Sequence, residues 1–124
     1  MSAYDQTGAA QKWGAVMSSL VISDGEAVAA NRVGCGEADL YLAFDLMAGS
    51  DRVNLDRCRP QRTVAVMNTT LLPNGEMIRD VEKEAPVAPM VAAIERWTDP
   101  DRNLRVEARR LAESLFGDYM ASNM

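Results

Sequence analysis

The chain has 124 residues, 48% of them hydrophobic and 25% charged, which suits one globular domain and excludes a disordered tail. Its formal charge of -5 comes from 18 acidic and 13 basic residues with no basic run, so nucleic acid is not an expected partner. There is no histidine, which rules out a Ser-His or Cys-His nucleophile, and two cysteines alone cannot complete a four-ligand zinc site.

The opening residues, MSAYDQTGAAQK, lack the charged and apolar regions of a signal peptide. No apolar stretch approaches the roughly 20 residues needed to span a bilayer. The expectation is a cytoplasmic protein with no membrane partner. Asp5 to Gly14 reads as a loop-like opening with no strand before it. Gly14 to Ser23, rich in small and β-branched residues, predicts a strand ended by the Asp24-Gly25 turn. Glu26 to Arg32 is a short connector of helical composition, ended by Gly34 and Gly36.

Ala38 to Phe44, ADLYLAF, is an almost unbroken apolar run of strand length, expected to be a central strand covered on both faces of a parallel sheet. Asp45 closes it and is placed to cap a short turn. Ser50 and Asp51 begin a polar, helical stretch to Cys58 that Pro60 ends. Thr63 to Met67 is a second buried strand, and strand, crossover, strand makes the class α/β, a layered α/β/α arrangement with a mostly parallel sheet.

Val87, Met90, Val91, Ile94 and Trp97 recur at helical spacing, with Pro89 in a first-turn position. Thr98 to Arg102 reads as a polar loop and Asn103 to Val106 as a short edge strand. Ala108, Leu111, Ala112 and Leu115 mark a last helical face ended by Gly117, after which Asp118 is a fresh N-cap.

Chemistry-bearing groups are sparse. No GxGxxG, P-loop or serine elbow occurs, and Asp99 and Asp101 read as turn aspartates. Cys35 and Cys58 read as small buried or half-buried hydrophobes, and a reactive thiol at Cys35, between two glycines, has no nearby basic pair to support it. Parallel sheets bind ligands beyond the carboxyl ends of their strands, where Asp45 and Asn68-Thr69-Thr70 fall. These side chains either meet a ligand or neighbouring subunit, or cap a helix and satisfy a turn. The loop Gln6 to Val16, with Thr7, Gln11 and the single cation Lys12, either admits a cofactor closely past its small residues or packs at a subunit boundary. The candidate contact residues are therefore Gln6, Thr7, Gln11, Lys12, Asp45, Asn68 and Thr69, with no catalytic and no metal-ligating residue.

Four stretches in order, DQTGAAQKWGAVMSS (Asp5–Ser19), GEADLYLAFDLMAG (Gly36–Gly49), RPQRTVAVMNTTLLPNGEMIRD (Arg59–Asp80) and ARRLAESLFGDYMASNM (Ala108–Met124), resemble the γ-type domain of the 2-oxoacid:ferredoxin oxidoreductases, most nearly the fused indolepyruvate ferredoxin oxidoreductase. The family decarboxylates 2-oxoacids oxidatively with thiamine diphosphate, passes electrons through iron-sulfur clusters to ferredoxin, and transfers the acyl group to coenzyme A. The resemblance implies one partial α/β domain over residues 1–124, lacking the usual first strand and glycine-rich turn and stopping inside its final helix. It implies no cofactor on this chain and partners among the other domains or subunits, with ferredoxin reached indirectly. Trp13 stands where the family has glycine and Ser19 where histidine is common, while Asn68-Thr69-Thr70 matches an NTH-like strand end. The alternative expectation is a non-catalytic interaction or small-ligand module on the same scaffold. A sheet without its first strand exposes an edge and an apolar face, so a homo-oligomer is expected.

Overall fold

The structure, a computed structural model, describes residues 2–6, 16–23, 32–71 and 86–119, with residues 2–6 described as backbone only. Two sheets form among them. Strand β1 (Ser2–Gln6) pairs antiparallel with β2 (Met17–Val21), with Ser2 opposite Val21 and Gln6 opposite Met17. The loop-like opening expected from the sequence is thus partly strand. SAYDQ has no apolar run of its own, and its pairing depends on a partner eleven or more residues away, which no local pattern reports.

The second sheet carries the core. Strands β3 (Leu40–Ala43), β4 (Val64–Asn68) and β5 (Leu104–Val106) lie in the order β3-β4-β5, all parallel. The register sets Leu40 beside Val64 and Ala43 beside Met67, then Val66 beside Leu104 and Asn68 beside Val106. The connections supply helices α1 (Leu46–Gly49), α2 (Arg52–Leu55) and α3 (Val87–Glu95), and helix α4 (Ala108–Phe116) follows β5. The α/β class and parallel sheet read from the apolar runs are present. β4 is the middle strand, whereas β3, expected to be central, has β4 as its one partner among the described strands.

Two successive crossovers that step across a sheet in one direction place their helices on one face when both have the usual right hand. The burial agrees. Ala43, Ala65 and Met67 turn toward the helices and join Leu46, Leu55, Cys58, Val91 and Ile94 in one cluster, flanked by Tyr41, Leu71, Val87, Met90 and Trp97. Leu46, Met67 and Ile94 are fully buried, each contributing roughly 1.5–3 kcal/mol of transfer free energy. Successive strand residues point to opposite faces, so Leu40, Leu42, Val64, Val66 and Leu104 share the other one. There Leu40, Leu42 and Leu104 are exposed, and the double coverage expected for the β3 run holds on the helix side.

Polar links fix the seams. Thr63, fully buried, donates through Oγ1 to the Ala38 carbonyl at 2.7 Å and accepts from the Arg59 amide at 2.8 Å. Asn103 accepts from the Ala65 amide at 2.7 Å and donates to Thr98 Oγ1 at 2.7 Å, while the Thr98 hydroxyl donates to the Ile94 carbonyl. This chain of bonds runs from β4 through the loop before β5 to the end of α3. It suits the rule that buried polar groups are paired.

Candidate functional site

The carboxyl ends of β3, β4 and β5 form one rim, where α1 and α4 begin. At the end of β3, Asp45 adopts extended backbone and its Oδ1 accepts from the Met47 amide at 2.9 Å, capping α1. At the end of β4, Asn68 reaches in three directions. Its Nδ2 donates to the Phe44 carbonyl at 3.1 Å, and its Oδ1 accepts from the Thr70 amide at 3.1 Å and the Ala108 amide at 3.2 Å. Thr69 turns to β5, where its amide and its hydroxyl both donate to the Val106 carbonyl, at 2.8 and 3.3 Å.

Helix α4 begins without a side-chain cap from its own flanking residue, Glu107. The first amides of a helix lack intrahelical partners, and here two of them are met from the end of β4 and the turn that follows it. Ala108 donates to Asn68, and Arg109 donates to Thr70 Oγ1 at 3.4 Å. The Asn-Thr-Thr element therefore stitches β3, β4, β5 and the start of α4 together. The Asn68-Thr70 bond is the asparagine turn that residues of this type form when a strand ends.

Of the seven candidate contact residues, Asp45, Asn68 and Thr69 meet at this rim. Gln6 ends β1, in the other sheet. Thr7, Gln11 and Lys12 lie outside the described residues, as do the Asp24-Gly25 turn and residues 26–31 of the Glu26–Arg32 connector. Sequence reasoning passed over the amides of Ala108 and Arg109, whose part in the rim is carried by backbone and leaves no residue-type signal. It also passed over Asn103, for which an asparagine directly after a TDPDR turn was the available sign.

The electrostatics offer little to a reaction. Among the described residues no group of three or more Cys, Asp, Glu or His side chains could hold a metal ion. Cys58 is buried in the core, and burial pushes its thiol up to about 11, away from the reactive thiolate. Tyr41 is raised further, by burial first and then by the neighbouring Cys58 and Asp51, and its hydroxyl donates to the Gly49 carbonyl at 2.9 Å. Cys35 is exposed, 3.8 Å from Arg57 Nη1, a nitrogen that also donates to the Val33 carbonyl at 3.2 Å. Among the described residues no helix is long and apolar enough to cross a membrane. No family model, no curated protein and no solved structure matches this chain.

Proposed function

We propose that the chain is a component domain of an indolepyruvate-like 2-oxoacid:ferredoxin oxidoreductase, serving in the cytoplasm as a structural and subunit-contact piece rather than as a centre of chemistry. Four ordered stretches resembling the γ-type domain motivate the reading, and the parallel sheet is compatible with it. The observation that carries the contact role is the division of labour in the second sheet. The rim's polar side chains are engaged with backbone groups of the fold, while the face away from the helices presents Leu40, Leu42 and Leu104 to solvent. Thiamine diphosphate, iron-sulfur clusters and coenzyme A would then be held by the partner domains, with ferredoxin receiving electrons there.

The test is to add the purified chain to the polypeptide carrying thiamine diphosphate and clusters, and to follow 2-oxoacid-dependent reduction of ferredoxin or a dye. The chain alone is expected to be inactive and the mixture faster than the partner alone. Absence of both association and stimulation overturns the assignment. The exposed apolar face equally suits a non-catalytic interaction module. Coding segments for thiamine-binding and ferredoxin-like proteins beside this one favour the oxidoreductase, and unrelated neighbours favour the module.

A further inference from the structure

We draw no further inference here: the strongest candidate, the apolar face of the parallel sheet that carries Leu40, Leu42 and Leu104, supports none, because nothing among the described residues shows what covers it.

Discussion

Cys58 and Tyr41 sit side by side against the core, and both resist ionisation because their charged forms would have to leave water. A group whose folded pKa is raised stabilises the fold below its unfolded value and loses that contribution as pH climbs through the folded one. For Cys58 the window opens near its ordinary 9.0 and closes near 11, and Tyr41 acts in the same direction at higher pH. Stability toward urea is therefore expected to hold at neutral pH and to fall progressively above pH 9. Thiol titration makes the matching prediction. One thiol, Cys35, should react with an aromatic disulfide reagent in the native protein and the second, Cys58, only after denaturant is added. Two thiols reacting natively at equal rates would contradict the buried placement.

At the scale of elements, two glycines separate close approach from backbone conformation. Gly49 ends α1 where the helix presses on β3, and a Cβ there would lie 2.7 Å from the Ala43 Cβ. Gly49→Ala forces helix and strand apart and is expected to cost about 1–3 kcal/mol, overcoming the better helix propensity of alanine. Gly117 closes α4 at φ 69 with open space around it, so Gly117→Ala carries only the left-handed penalty, about 1 kcal/mol. Denaturant midpoints check both, and equal losses would contradict the distinction. These elements also show what was legible. ADLYLAF and TVAVM announced β3 and β4 because burial on a sheet needs an apolar run. The helical spacing from Val87 to Trp97 announced α3, and Gly117 marked the end of α4 for the reason just given. β1 was illegible because SAYDQ becomes a strand only through its partner, and β3's place beside a single described neighbour is a matter of topology.

Over the whole molecule, the described sheet is a platform with one finished side. Helices α1 to α3 close one face around Met67 and Ile94, and the rim joins all three strands to α4 through Asn68, Thr69 and Thr70. The sequence marked that rim through Asp45 and the Asn-Thr-Thr run, and residue types alone leaned toward a cap and turn over a ligand or subunit contact. In the structure Asn68 and Thr70 accept from amides about 40 positions further along the chain. The account's central claim is that this polar cluster serves the fold. Asn68→Ala removes three hydrogen bonds spanning β3, β4 and α4, each worth roughly 0.5–1.5 kcal/mol. Urea unfolding of this variant against wild type, at matched protein concentration, is the most direct measurement. A loss of about 2 kcal/mol or more is predicted, and an unchanged unfolding free energy would contradict the claim.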